Sequence, residues 1–242
     1  MSGHSKWNNI KNKKEKSDAQ RGKVFTKLGR EILVAVKEGG PDPASNSKLK
    51  DVIAKCKANN MPNDNIERSI KKAAGDGNLT HYEDVVYEGY GPNGVAIMIE
   101  AMTDNRNRTA SDVRHILDKF GGNLGATGSV GWMFDKKGVI VIERKATSLD
   151  EEELMMEALE AGADNFESDD EFYEITTKPE DFSAVREYLE GKNIPYIEAE
   201  VKMIPQNCTH LDEEPARKME LIIEKMEELD DVQEVWHNWD EE

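Results

Sequence analysis

The 242-residue chain holds two cysteines, Cys56 and Cys208, far apart in sequence. That excludes a disulfide framework and any CxxC metal or redox site, and it suits a reducing compartment. No run approaches the roughly 18 apolar residues of a membrane-spanning helix, so no membrane partner is expected. Trp7 and Ile10 stand alone among polar residues, so the opening lacks the apolar stretch of a secretory signal. It is also unlike an organellar transit peptide, because its first arginine is Arg21. We therefore expect a cytoplasmic protein.

Catalytic signatures are also missing. The five histidines (His4, His81, His115, His210 and His237) form neither HExxH nor another paired ligand spacing. No GxSxG nucleophile elbow occurs. The acidic run at 167–171 matches no cation-ligand pattern. No metal, no cofactor and no enzymatic activity are expected. Gly89, Gly91 and Gly94 spell GxGxxG, but a strand rather than a helix follows them. Pro92-Asn93-Gly94 is turn chemistry, so a hairpin is expected there and not a dinucleotide site.

What the chain does have is an uneven charge. Its formal charge is −17, yet the first thirty residues carry nine Lys/Arg and two acids. Residues 1–80 balance at +8 and residues 81–242 at −25. A basic end on an acidic body suggests that one end holds a polyanion and the rest avoids bulk phosphate. Lys6, Lys11, Lys13, Lys14 and Lys16 are interleaved with Trp7, Ile10 and asparagines. A merely solubilising tail has no use for Trp7, whereas a nucleic-acid-binding arm could stack it on a base while the lysines meet phosphates.

Helical periodicity begins after the arm. Ser17 and Gln20 have the spacing of a capping box; Phe25, Leu28, Ile32 and Val36 then recur on one face until Gly39-Gly40-Pro41. A second helix is expected near 46–59, and a third carries Ile66 and Ile70 and stops at Gly75-Asp76-Gly77. The third offers Arg68, Lys71 and Lys72 as a recognition surface. Three short helices must pack together as a bundle.

Residues 83–102 read as a hairpin, and 109–120 as a helix with Val113, Ile116, Leu117 and Phe120 on one face. A loop dense in glycine (Gly121, Gly122, Gly125, Gly128 and Gly131) follows, either a flexible crossover or a close-approach site for a nucleic-acid backbone. Residues 138–204 read strand, helix, strand, strand, helix, strand, the ferredoxin-like order. A helix near 215–228 and a last strand with Trp236 and Trp239 should return to the sheet begun at 82–128. The fold class expected is α+β: a three-helix N-terminal domain plus two ferredoxin-like α/β domains, one discontinuous. The domains expected are 1–80, then 81–129 with 205–242, and an inserted 130–204.

Thr103–Thr109, "TDNRNRT", sits between a strand and a helix N-terminus. Arg106 and Arg108 beside backbone N–H groups would suit a phosphate; equally, they could pair with Asp104, Asp112 or another domain. The candidate nucleic-acid-binding residues are thus Lys6, Trp7, Lys11, Lys13, Lys14, Lys16, Arg21, Lys23, Arg106 and Arg108.

Three stretches, 3–32, 89–134 and 230–240, closely resemble the YebC/PmpR family, whose relatives include the mitochondrial translational activator of cytochrome c oxidase. The resemblance spans essentially the whole chain. Asn12 and Lys13 stand where His and Arg are commoner. It implies a helical N-terminal domain followed by two ferredoxin-like domains and no catalytic residues. It further implies one of two roles: a DNA-binding regulator of transcription, or a ribosome-associated factor that binds ribosomal RNA and relieves stalls at proline-rich stretches. The expected partner is DNA, or ribosomal RNA and with it the ribosome, and the chain is expected to be monomeric.

Overall fold

The computed structural model describes residues 18–75 and 80–240. Two compact units emerge, Met1–Phe134 with Pro205–Glu242, and Asp135–Ile204.

The first unit opens with three helices: α1 (Asp18–Gly39), α2 (Ser47–Ala58) and α3 (Asn63–Gly75). Asn46 caps α2, its side chain accepting from the Leu49 N–H at 3.0 Å and donating to the Ala35 and Gly40 carbonyls at 2.8 Å. It therefore stops one helix and starts the next. Leu28, Ile32, Ala35, Leu49, Val52, Cys56 and Ile66 close the bundle core. Burial pushes the Cys56 thiol up to about 12, which leaves it protonated and inert.

The hairpin follows as β1 (Glu83–Tyr90) and β2 (Ala96–Thr103), paired antiparallel from Glu83↔Thr103 to Tyr90↔Ala96. Pro92–Gly94 forms the turn, with Asn93 at φ 54° and Gly94 at φ 79°. The left-handed pair is what the Asn-Gly step provides. The GxGxxG glycines thus serve a strand–turn–strand, as the sequence implies. Helix α4 (Arg106–Lys119) and the short β3 (Asn123–Leu124) come next.

After the second unit the chain returns with β8 (Thr209–His210), α7 (Glu213–Glu227), β9 (Val232–His237) and β10 (Trp239–Asp240). Strand β9 pairs antiparallel with β2, so the sheet runs β3-β1-β2-β9. Helices α4 and α7 cover one face of it, burying Val113, Leu117, Met219, Ile222 and Met226 on Val95, Ile97 and Ile99. Trp236 and Trp239 are half-buried sheet residues, and the His237 and Trp239 rings lie 5.9 Å apart.

The second unit contains β4 (Phe134–Glu143), α5 (Glu151–Ala161), β5 (Asn165–Ser168), β6 (Phe172–Thr177), α6 (Phe182–Gly191) and β7 (Glu198–Pro205). Its sheet order, β5-β6-β4-β7, is the ferredoxin-like arrangement. A full capping box starts α5: Asp150 accepts from the Glu153 N–H at 2.9 Å, and Glu153 from the Asp150 N–H at 3.2 Å. Ile140, Ile142, Leu154, Ile175, Val185 and Leu189 fill the core. The architecture is the α+β class that the sequence implies.

Core position, not apolarity, decides a side chain's worth in this unit. Ile142 is fully buried, whereas Met156 is 70% exposed. Ile142→Ala should destabilise the unit by about 2–5 kcal/mol in urea denaturation. Met156→Ala should stay within about 0.5 kcal/mol of the parent.

Candidate nucleic-acid interface

Lys6, Trp7, Lys11, Lys13, Lys14 and Lys16, and Ser17 of the expected Ser17–Gln20 capping box, lie outside the described residues. The cations on the first four turns of α1 divide into two groups. Arg21 is on the exposed first turns. Lys23, Lys27 and Arg30 run one helical turn apart down a single face, and that face meets the C-terminal end of α7. Lys23 Nζ donates to the Glu228 carbonyl (3.4 Å), Lys27 Nζ to the Glu227 carbonyl (3.0 Å) and Arg30 to the Asp230 carbonyl (2.8 Å). A helix end leaves its last carbonyls without intrahelical donors and carries partial negative charge. Three cations there satisfy both needs, so Lys23 has a structural partner within the fold.

Arg30 also reaches Asp231, at 2.8 Å. Asp231 lies in the turn between α7 and β9, its side chain 12% exposed. Its second oxygen accepts from Arg108 at 2.6 Å, from the Thr109 hydroxyl at 2.8 Å and from the Thr103 hydroxyl at 3.2 Å. One carboxylate thus joins α1, the end of β2, the start of α4 and the α7–β9 turn. Burial raises the cost of its charge, but the hydrogen bonds from Arg108, Thr109 and Arg30 prevail and hold its pKa below the ordinary 3.8.

The "TDNRNRT" segment is largely occupied by this arrangement. Asn105 caps α4 by accepting from the Arg108 N–H at 3.1 Å. The Arg108 guanidinium is shared between Asp231 and Asp104, the latter at 2.7 Å. Arg106 differs: its side chain is 60% exposed and lies 3.5 Å from Glu83, itself 42% exposed. Such a pair contributes little and yields readily to a phosphate. The structure therefore separates two arginines that the sequence presents alike.

Helix α3 exposes Arg68, Lys71 and Lys72 together, opposite its buried Ile66 and Ala73. Spacings of three and four residues put these cations on one surface.

The glycine-dense segment is an ordered structure rather than a flexible crossover. Buried Glu88, on β1, accepts from the backbone N–H groups of Gly128 (2.7 Å), Val130 (2.8 Å) and Gly131 (2.7 Å). Its own carbonyl accepts from the Gly125 N–H at 2.8 Å. Desolvation opposes the Glu88 charge, but three N–H donors outweigh it and lower the pKa. At Gly122 a side chain would collide with the Tyr90 carbonyl, which requires glycine at that close approach. The loop holds out Trp132, 67% exposed. Sequence reasoning overlooked Trp132 as a site residue; the available signal was a tryptophan ending a run with no carboxylate between Asp118 and Asp135.

Among the described residues no cluster of three or more His, Cys, Asp and Glu is placed to hold a metal ion. No described helix is long and apolar enough to cross a membrane.

The geometry makes two substitutions diagnostic. Asp231→Asn should cost about 2–4 kcal/mol in chemical denaturation, because Arg108 and Arg30 lose a buried counter-charge. Asp104→Asn, at an exposed carboxylate, should cost under about 1 kcal/mol. Because the folded pKa of Asp231 is depressed, its contribution is complete above the ordinary value of 3.8. It is lost as pH falls through the lower folded value, and the Asn variant should lack that acid limb. Glu88→Gln should weaken the loop by about 1–3 kcal/mol, read as faster amide exchange at Gly128, Val130 and Gly131.

Comparison with known proteins places this geometry in a family. Residues 5–76 match the TACO1/YebC protein N-terminal domain, and residues 82–239 match the TACO1/YebC second and third domain. A probable transcriptional regulatory protein of Acetivibrio thermocellus is 63% identical over 240 residues, covering 99% of each chain. One of Ruminiclostridium cellulolyticum is 63% identical, covering 100% of this chain and 98% of the relative. The crystal structure of a conserved hypothetical protein of Aquifex aeolicus superposes with a TM-score of 0.79 at 46% identity, covering 93% of this chain and 94% of the other. Matched along nearly its whole length by both domain descriptions, the chain belongs to the TACO1/YebC family.

Proposed function

We propose that this protein regulates gene expression by binding nucleic acid through the N-terminal third of its chain. The observation that carries the proposal is the division of charge, +8 over residues 1–80 against −25 beyond them. Lys6, Lys11, Lys13, Lys14, Lys16 and Arg21 supply phosphate contacts, and Trp7 stacks. Arg68, Lys71 and Lys72 add a cationic helix face, and Arg106 a further contact. Lys23 and Arg108 act mainly as positioning residues, since Glu228 and Asp231 already engage them. No catalytic step is assigned. The names of the relatives, probable transcriptional regulatory proteins, favour DNA as the target.

The acidic body favours a second reading. Residues 81–242 would be repelled along the length of a duplex, whereas a ribosome-associated factor needs only a local grip on ribosomal RNA. Basic ribosomal proteins could then face the acidic surface. Either role belongs in the cytoplasm, where Cys56 and Cys208 stay as free thiols.

Crosslinking in growing cells, followed by sequencing of the attached nucleic acid, separates the readings. Promoter DNA selects the first and ribosomal RNA the second; recovery of neither above background refutes both. In vitro, each phosphate contact contributes about 0.7–0.9 to the slope of log affinity against log salt. Replacing Lys11, Lys13 and Lys14 together with Ala should flatten that slope by roughly 2–3. An unchanged slope would show that the arm does not grip phosphate.

A further inference from the structure

Trp132 is 67% exposed, although a tryptophan is usually covered by its own fold. Its ring is nevertheless fixed. The indole N–H donates to the Ser129 carbonyl at 3.1 Å, and the Tyr90 hydroxyl donates to that same carbonyl at 3.0 Å. The loop beneath is anchored by Glu88 through Gly128, Val130 and Gly131. A rigid, outward aromatic face loses little conformational freedom when something stacks on it.

The surroundings indicate what stacks. Residues 119–134 contain no Asp or Glu, within a stretch from 81 to 242 whose balance is −25. The carboxylate that the loop does engage, Glu88, is buried, and its charge is taken up by backbone N–H groups. Lys119 stands at the start of the segment, its ammonium 5.3 Å from the Phe120 ring centre. At Gly128, with φ +85°, nothing occupies the space where a side chain would be, so a ligand backbone can come close.

A protein partner fits less well. A stable protein interface takes about 800 Å² from each side around an apolar centre. The other large exposed apolar residues described in this unit are Leu221 on α7 and Val86 on β1, two residues from the loop's anchor Glu88, which is too few for an apolar centre of that size. The exposed residues of the loop itself, Gly121, Asn123, Ala126, Thr127 and Gly128, are small or polar. A single flat ring suits a single flat base. A base inside a duplex already has both faces covered, so the base must be unpaired.

We propose that Trp132 is a stacking platform for an unpaired nucleobase, with loop residues 121–131 lying against the adjoining sugar–phosphate. This rests on the nucleic-acid reading above and adds a second contact, outside the basic arm and specific for single-stranded or looped segments.

The test uses the full chain and fluorescent 12-nucleotide RNA and DNA single strands carrying 2-aminopurine, with matching duplexes as controls. Trp132→Ala should weaken single-strand binding roughly 5- to 100-fold and abolish 2-aminopurine quenching. Trp132→Phe should recover part of both, and duplex binding should be unchanged. The RNA and DNA arms identify which sugar the site prefers. Unchanged single-strand affinity in the Ala variant would overturn the platform while leaving the arm's role intact. Equal loss on duplex and single strand would make Trp132 a structural residue and also overturn it. Loss of ribosome association with oligonucleotide binding unaltered would reassign the ring to a protein contact. Absence of nucleic-acid binding by the parent chain would refute the functional reading itself, and the platform with it.

Discussion

A single buried carboxylate, that of Asp231, ties the helical third of the chain to the first sheet. Its two oxygens gather Arg30, Arg108, Thr103 and Thr109 from three elements that are distant in sequence. Taking a carboxylate out of water costs several kcal/mol, which only a complete set of partners offsets. Here the set is complete only when α1, β2 and α4 are all in place. The network therefore adds less to total stability than to uniqueness of arrangement, since a displaced α1 would strand a charge. Lys23 and Lys27 extend the restraint to the carbonyls at the end of α7. Lys55 adds a second strut, reaching Glu31 at 3.0 Å and Glu234 at 3.3 Å.

This restraint changes how the basic end should be counted. Formal charge treats every Lys and Arg alike, but Lys23, Lys27, Arg30 and Lys55 face acceptors inside the first unit. Among the described residues, the cations presented outward include Arg21, those of α3 and the exposed Arg106. On the proposed reading a polyanion would be met by an exposed subset, and the internal cations would fix where that subset points. Removing an internal one would disturb binding indirectly, through geometry rather than through a lost phosphate contact.

Much of the fold was legible because its signals are local. Gly39-Gly40-Pro41 ends the first helix and Asn93-Gly94 turns a hairpin; the Asn46 cap and the Asp150–Glu153 capping box are equally local but were not read from the sequence. The β-α-β-β-α-β order of the second unit follows from periodicity alone. The site was less legible, because its decisive contacts are remote. Arg106 and Arg108 are two residues apart, yet one meets Asp231 from 123 positions away and the other stays exposed. The glycine-dense segment reads as a flexible crossover until Glu88, 40 residues earlier, is seen beneath it. Glycine abundance signals backbone freedom; it does not say that a carboxylate has already claimed the N–H groups. Trp132 was missed for the same reason, since exposure depends on what the rest of the chain fails to cover.

The acidic body and a nucleic-acid ligand are compatible because of the reach of charge in salt. At physiological ionic strength exposed charges are screened beyond about 8 Å. A base seated on Trp132 would meet a local sequence, 119–134, that has no carboxylate before Asp135, within a larger region whose balance is −25. The wider acidity still matters during approach, where long-range repulsion disfavours a duplex laid along the surface. On the proposed reading such a body would admit nucleic acid at discrete points, the basic end and the acid-poor loop. Both points favour ligands that present phosphate and bare bases over short distances. Folded RNA offers that combination at its loops and bulges, whereas uninterrupted double-stranded DNA keeps its bases stacked.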